Sequence, residues 1–354
     1  MRVHLLGSDA WIDVERDEAV LAAARRQGRA LPYSCLAGRC GSCRGHLLAG
    51  EVHYPYNPPE ALSPAELATG EVLLCQAVPL SDLEIAIREV EAVRGIPLRR
   101  LTLSVAKMQR LAPDVMGLWL LPDDGEPLAW LPGQYLDVLL SDGKRRAFSI
   151  ANAPTPDRHI ELHVRRVAGG GFSEYVFETL TVGMQLQVEA PLGTFVARGY
   201  SDRAMLLVAG GTGFAPIKAI IEHLIARQSI NPPVGQVQLY WGARVASDLY
   251  LESMVRQWAD ELAWFDYQAV LSEAMPHDPL HRRGLVHDIV LADHPDLTAH
   301  DLYMSGPPAL IDAGRHAFTA AGLPPDRLYY DSFDYAPDVL AAMIRLRAGL
   351  RAEG

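Results

Sequence analysis

Apolar positions are spread along the whole 354-residue chain, but their arrangement changes twice. Up to about residue 95 the pattern predicts an α+β unit. Val3-His4-Leu5-Leu6 reads as a strand, and residues 17–27 read as a helix with Gly28 just past its end. The alternating run Leu83-Glu84-Ile85-Ala86-Ile87-Arg88-Glu89-Val90 reads as a closing strand, and Gly95-Ile96-Pro97 as a linker. From 97 to 200, short apolar runs such as 133–140 and 159–167 are separated by Pro, Gly and Asp. This spacing predicts an antiparallel barrel, with one short helix at 173–180. From 201 to 335, strands at 204–209, 236–241, 266–271, 301–304 and 328–333 alternate with helices, as in an open parallel sheet. The first of those helices carries Ile217, Ile220, Ile221, Leu224 and Ile225 at helical spacing, and others are expected at 249–260 and 308–321. In the tail, Val339, Leu340, Met343, Ile344 and Leu346 with Arg345, Arg347 and Arg351 predict an amphipathic helix, expected to dock on its own chain, with a membrane surface or a partner as the alternative.

Composition places this pattern in a globular protein of two or three domains: apolar residues make up 49% and charged residues 21%. No apolar run of about 18 residues is present and the chain opens without a long apolar stretch, so no membrane span and a cytoplasmic location are expected. The net charge of −11 argues against nucleic acid as a partner. Residues 1–95 carry 9 basic and 13 acidic side chains and no lysine, an excess that serves solubility or steers a basic partner.

The chain's four cysteines change the picture most. Cys35, Cys40, Cys43 and Cys75 give C-x4-C-x2-C, then 31 residues, then a last Cys. That is the ligand spacing of a plant-type [2Fe-2S] cluster, whose two irons take four thiolates. Gly38, Gly41 and Gly45 would let the loop wrap, turning backbone N–H groups toward the sulfurs. A four-cysteine zinc site favours two separated C-x2-C hooks, and this chain has one. Disulfides are disfavoured in the expected reducing compartment.

Two further groups of residues suit nucleotide cofactors. Gly210-Gly211-Thr212-Gly213-Phe214-Ala215-Pro216 lies between an expected strand and helix, where small residues let backbone approach a pyrophosphate and the helix N-terminus favours its charge. Pro216 suits an early helical position. Arg146-Ala147-Phe148-Ser149 offers a cation for phosphate, an aromatic for a flat ring and a hydroxyl for a ring nitrogen. Arg146 and Phe148 fall on one face of the strand and Ser149 on the other. Arg165 and the run Gly169-Gly170-Gly171-Phe172-Ser173 offer a second phosphate cradle. His277, His281 and His287 lie in a Pro-rich stretch and read as solvated rather than as metal ligands.

Taken in order, these motifs resemble the ferredoxin-fused members of the ferredoxin–NAD(P)H reductase family. The likeness is strongest to reductase components of aromatic-ring dioxygenases of the terephthalate and naphthalene type. Phenol hydroxylase reductase and CDP-6-deoxyhexose reductase are also similar. The family's R-x-Y/F-S, G-G-x-x-S and G-G-T-G-x-x-P motifs match at Arg146 to Ser149, Gly169 to Ser173 and Gly210 to Pro216, and Tyr240 to Arg244 matches the strand before the cofactor adenosine. One departure is Ser305-Gly306-Pro307-Pro308, where the family usually carries C-G-P-P beside the nicotinamide.

The resemblance implies a multidomain α/β protein. It would have a β-grasp [2Fe-2S] ferredoxin domain at 1–95, an antiparallel β-barrel FAD domain at 97–200 and a Rossmann-like parallel α/β NAD(P) domain at 201–335, with a helical tail at 336–354. It implies electron flow from NADH (NADPH being possible) through FAD to the cluster, and on to a terminal oxygenase. Ser149 would bond the flavin ring, Phe148 pack against it, and Arg146 and Arg165 hold its pyrophosphate. Phe333 would cover the flavin, Ser305, Gly306 and Pro307 would lie at the nicotinamide, and Arg244 would meet the adenosine end. A reductase for sugar dehydration and a redox sensor remain as alternative readings.

Overall fold

The computed structural model describes residues 1–198, 203–230, 235–273, 278–333, 338, 339 and 341. They fall into two compact units, one made of Met1–Pro97 with Gly193–Val196, the other of Leu98–Leu192 with Ala197 onward.

The first unit is a five-stranded sheet crossed by a helix. Its elements are β1 (Arg2–Leu5), β2 (Ala10–Asp13), α1 (Val20–Arg26), β3 (Arg44–Ala49), β4 (Val52–His53), α2 (Pro64–Ala68), β5 (Glu71–Leu73), β6 (Val78–Pro79) and β7 (Leu83–Ala86). The strand order is β2-β1-β7-β3-β5, with β1 parallel to β7 and its other neighbours antiparallel. Alternation makes one face apolar: Val3, Leu5, Leu83 and Ile85 are buried and pack against Val20, Leu21 and Ala24 of α1. Tyr33 N–H donates to Thr194 Oγ1 at 2.8 Å, which seats the 193–196 segment in this unit.

The second unit begins with six antiparallel strands: β8 (Arg99–Ala112), β9 (Val115–Pro122), β10 (Tyr135–Leu139), β11 (Arg145–Ser149), β12 (Ile160–Arg165) and β13 (Gln185–Leu192), with α3 (Gly171–Glu178) between the last two. The order is β11-β10-β13-β8-β9-β12, and an antiparallel bridge from Ile150 to Leu162 brings the two edges together, as a barrel requires. Leu103, Leu118, Leu136, Val138, Leu162 and Val188 fill its interior.

A parallel layer follows: β14 (Ala204–Gly210), α4 (Phe214–Arg227), β15 (Val237–Ala243), α5 (Glu252–Glu261), β16 (Phe265–Leu271), β17 (Arg282–Arg283), α6 (Val286–Asp293), β18 (His300–Gly306), α7 (Pro308–Ala320) and β19 (Leu328–Ser332). All of its pairings are parallel, in the order β17-β16-β15-β14-β18-β19. The order reverses between β14 and β18. Open α/β sheets bind ligands at the carboxyl ends of the strands at such a switch point.

Several sequence expectations need correction. The first helix starts at Val20, not at 17, because Asp17 takes a left-handed φ of 61° that no helix accommodates. The strand expected over 83–90 stops at Ala86. Gly45 belongs to β3 rather than to the cysteine loop, where a Cβ would lie 3.0 Å from the Ile85 side chain. β17 and α6 had no counterpart in the sequence reading. His281 is not solvated: its ring is buried between Glu252 and Asp278, whose carboxylates raise its pKa against the opposing effect of burial. His287 sits half-buried on α6, and His277 lies outside the described residues. Of the expected tail helix, Asp338, Val339 and Ala341 are helical and the remainder lies outside the described residues. Among the described residues no helix is long and apolar enough to cross a membrane.

Candidate functional site

The cysteine loop runs between α1 and β3, and the fourth cysteine follows β5. Leu36, Gly38 and Gly41 all take positive φ (56°, 73° and 79°), which folds the backbone back on the sulfurs. As a result the N–H groups of Ala37 and Cys40 donate to Cys35 Sγ at 3.4 Å, and that of Ser42 donates to Cys40 Sγ at 3.5 Å. None of the four cysteines is in a disulfide.

The thiols group as two pairs. Cys40 hydrogen-bonds Cys35, which, with the N–H donors, brings the Cys35 pKa down to about 6 against desolvation. Cys43 hydrogen-bonds Cys75, lowering the Cys75 pKa, while Cys40 and Cys43 are pushed up by those same bonds and by burial. Among the described residues no three His, Cys, Asp or Glu side chains gather around a single ion position. Two thiol pairs with N–H groups aimed at sulfur suit a two-iron cluster, which Cys35, Cys40, Cys43 and Cys75 would hold.

In the second unit, β11 ends at Ser149, which is buried, its hydroxyl donating to Asp331 Oδ2 at 3.4 Å. Asp331 is paired in register with Ser305 on β18. The end of the barrel strand β11 and the end of β19 therefore meet at one buried carboxylate. No sequence signal marks Asp331, because an acid near the end of an edge strand carries no local motif.

Phe148 packs on the barrel core, its ring 5.4 Å from that of Phe172. The Arg146 guanidinium donates to Asp338 Oδ2 at 2.7 Å, while its buried Nε has no hydrogen-bond partner. Arg165 likewise buries Nε and one terminal nitrogen without hydrogen bonds, its nearest carboxylates being Asp114 and Asp248 at 3.5 and 3.6 Å. Two guanidiniums with unused donors fit an anionic ligand. Gly170 and Gly171 open α3. A Cβ on Gly170 would lie 2.8 Å from Ser173 Oγ, whereas one on Gly171 would meet nothing within 4 Å. Ser173 spends its hydroxyl inside the turn, accepting from Val167 N–H at 3.0 Å and donating to Gly170 O at 2.9 Å.

The glycine loop lies at the carboxyl end of β14. Gly211 takes φ +55°, and its carbonyl accepts from Trp241 Nε1 at 3.0 Å. Thr212 is half-buried, and Pro216 is buried in the first turn of α4. Gly210 and Gly213 press against the neighbouring Ser305-Gly306-Pro307 turn, where a Cβ on Gly213 would sit 2.1 Å from Ser305 O. Ser305 is wholly buried and its hydroxyl has no hydrogen-bond partner. Phe333 N–H donates to Gly306 O at 2.8 Å, which holds Phe333 at the same turn. Arg244 lies just past β15 with its side chain 70% exposed, 3.9 Å from Asp248. The structure thus brings Ser149, Ser305, Phe333 and the glycine loop to one end of the parallel sheet, with Arg244 at the end of the neighbouring strand β15.

Behind these loops lies a buried ionic cluster that no motif announced. Lys218 on α4 donates to Glu161 Oε2 at 2.8 Å and to Ala151 O at 3.0 Å, and pairs with Glu222 at 2.7 Å. His163 Nε2 meets Glu161 Oε1 and His163 Nδ1 meets the Tyr250 hydroxyl, each at 2.9 Å. Burial alone would raise the Glu161 pKa, but His163 and Lys218 hold it at about 2. Burial lowers the His163 pKa, which keeps the ring neutral. With a carboxylate on Nε2, the proton sits on that nitrogen and Nδ1 accepts from Tyr250.

Comparison with known proteins agrees with this layout. Residues 3–80 match the 2Fe-2S iron-sulfur cluster binding domain, 102–197 the oxidoreductase FAD-binding domain and 207–316 the oxidoreductase NAD-binding domain. The reductase subunit of an aromatic O-demethylase from an Amycolatopsis species is 35% identical over 327 residues, covering 91% of this chain and 96% of that protein. A terephthalate 1,2-dioxygenase reductase component from Comamonas is 34% identical, covering 95% of this chain and 98% of the relative. The CDP-6-deoxy-L-threo-D-glycero-4-hexulose-3-dehydrase reductase of Yersinia pestis is 33% identical, covering 94% and 98%. Among solved structures, an Amycolatopsis cytochrome P450 reductase superposes with a TM-score of 0.73 at 34% identity, covering 94% of this chain and 98% of that one. Three domain matches in this order, on relatives aligned over nearly their whole length, place the chain in the ferredoxin-fused ferredoxin–NAD(P)H reductase family, as an oxidoreductase that moves electrons from NAD(P)H through FAD to its own [2Fe-2S] cluster.

Proposed function

We propose that the physiological acceptor is the terminal oxygenase of a multicomponent system, and that the residues gathered at the β14–β18 switch point carry out the input step with NADH. The observation that supports this most is the bond from Ser149 to the buried Asp331 carboxylate, which joins the flavin-barrel strand to β19, the strand paired with β18 beside Ser305. Bound FAD and the [2Fe-2S] cluster supply the conversion of a two-electron donor into single-electron transfers.

The chain's own residues bind and orient. Arg146 and Arg165 hold the flavin diphosphate, whose close approach the Gly170–Gly171 turn permits and Ser173 shapes. Ser149 presents its hydroxyl to the flavin ring, oriented by Asp331, and Phe148 packs beside it. Gly210, Gly211, Thr212, Gly213 and Pro216, at the N-terminus of α4, receive the pyrophosphate of the dinucleotide. Ser305, Gly306 and Pro307 line the nicotinamide, which Phe333 shields. Cys35, Cys40, Cys43 and Cys75 hold the cluster.

The acceptor is tested by mixing the NADH-reduced protein with purified candidate components. Rapid cluster reoxidation by a Rieske-type or cytochrome P450 oxygenase, and not by a sugar-dehydrating enzyme, is expected; the reverse ranking would assign the chain to sugar dehydration. Arg244, exposed beyond β15, is placed to meet a 2′-phosphate. Arg244→Ala should lower kcat/KM for NADPH by about tenfold, the scale of one lost charge-assisted contact, and leave that for NADH within about twofold. Equal losses for both would remove Arg244 from cofactor selection. Ser305→Cys should speed flavin reduction several-fold in rapid mixing, because a thiol replaces a buried hydroxyl with no partner. An unchanged rate would dismiss the side chain as kinetically unimportant.

A further inference from the structure

The ionic cluster around Lys218 is completely satisfied. The ammonium has three protons and three acceptors: Glu161, Ala151 O and Glu222. Glu161 gives its second oxygen to His163, whose other nitrogen is taken by Tyr250. Glu222 also accepts from Ala153 N–H at 3.1 Å through Oε2. Lys218 is only 4% exposed, and Glu161 and His163 are similarly buried.

Its position matters more than its strength. Lys218 stands five residues beyond Gly213, about 8 Å along a helix whose first turn is the dinucleotide loop. Ala151 and Ala153 stand two and four residues beyond Ser149, at the end of the flavin strand. The ammonium and the Glu222 carboxylate therefore tie the base of the nucleotide loop to the chain leaving the flavin hydroxyl. Either element sliding by an ångström would break these bonds and leave buried charge without its partners. A buried cation serving only to glue two surfaces is poorly suited to the task, since apolar packing does it without desolvating charge. Three directed bonds fix a register, and hydride transfer is sensitive to register, requiring reacting atoms about 3–3.5 Å apart.

We propose that Lys218 is a positioning residue for hydride transfer: with Glu161 and Glu222 it sets the glycine loop against the end of the flavin strand. The proposal rests on the reading of those two elements as the dinucleotide and flavin sites. Three variants of the full-length holoprotein test it: Lys218→Met, Lys218→Arg, and Glu161→Gln with Lys218→Met, which removes the most buried carboxylate together with its cation and leaves only the partly exposed Glu222. FAD content, NADH dissociation constant, the long-wavelength charge-transfer absorbance formed with NADH, the rate of flavin reduction at saturating NADH, and hydrogen exchange at the Ala153 amide are measured on each. Lys218→Met and the double variant are expected to keep FAD and bind NADH within a few-fold of the parent. They should lose most of the charge-transfer absorbance, reduce flavin about 10–100-fold more slowly and exchange Ala153 faster, with partial recovery in Lys218→Arg. Faster exchange at Ala153 with an undiminished reduction rate would overturn the proposal, as would loss of FAD or NADH binding in every variant, which marks a structural role. If the parent flavin is itself not reduced by NADH, the reading of the two sites fails rather than the role of Lys218.

Discussion

Replacing Cys75 by Ser should leave flavin reduction by NADH at the parent rate while cutting NADH-dependent cytochrome c reduction at least a hundredfold. The reason is local. Cys75 pairs with Cys43 on one side of the thiol group, a hydrogen bond that lowers its pKa, and would hold iron as a soft sulfur ligand. A serine hydroxyl is far less acidic and offers a hard oxygen where iron–sulfur chemistry takes soft sulfur. One of the two thiol pairs is then incomplete, while the glycine loop, Ser149 and Ser305 in the other unit are untouched. Rapid-mixing absorbance separates the two steps, and visible absorption reports the cluster. Cytochrome c reduction persisting at the parent rate would show that electrons leave by another route, and the order flavin then cluster would have to be abandoned.

Gly213→Ala should be nearly as damaging, at the other end of the path. Gly213 has φ −57° and ψ −12°, a conformation alanine adopts freely, so the penalty is purely steric. The new methyl would lie 2.1 Å from Ser305 O and 2.8 Å from Gly306 Cα, both backbone atoms that cannot rotate away. The ends of β14 and β18 must therefore part by more than an ångström. Flavin reduction at fixed NADH is expected to fall about a hundredfold, the usual cost of such a misplacement. Overpacking of this kind destabilises by about 1–3 kcal/mol. Gly211→Ala is the instructive contrast: its Cβ would meet nothing within 4 Å, and only the positive φ opposes it, so a loss of roughly tenfold is expected. If Gly213→Ala reduced flavin as fast as the parent, the contact between the two turns would have no bearing on the input step.

Much of this could be read from the sequence because the parts concerned are local. The C-x4-C-x2-C run, Arg146 to Ser149 and Gly210 to Pro216 are each short contiguous stretches, and each falls where the apolar pattern placed a loop or a strand end. What stayed hidden depends on partners far along the chain. The run from 159 to 167 was read as an ordinary barrel strand, yet Glu161 and His163 are buried because β12 has barrel on one face and α4 on the other. Lys218 interrupts an apolar helix face as a solvent-facing residue would, and two of its three partners lie 57 and 67 positions away. Asp331 reaches Ser149 across 182 positions. Alternation reports which face of an element is covered but not what covers it. The start of α1 was misplaced for a smaller reason: the left-handed turn at Asp17 is taken by a residue that usually signals a helix start.

The reversal of strand order between β14 and β18 also bears on how the site comes into being. Strands β15, β16 and β17 are all made between them, so the glycine loop is complete about 90 residues before the turn against which it closes. A chain emerging from the ribosome, with domains generally folding from the N-terminus onward, would carry a finished cysteine loop and a finished barrel while the glycine loop still lacked the turn it closes on. Long-range parallel pairing is the slow step in such topologies. The proposed entry site for electrons is thus the last to be assembled, and on that reading a nascent or truncated chain ending before Ser305 would have somewhere to put electrons and no means of collecting them.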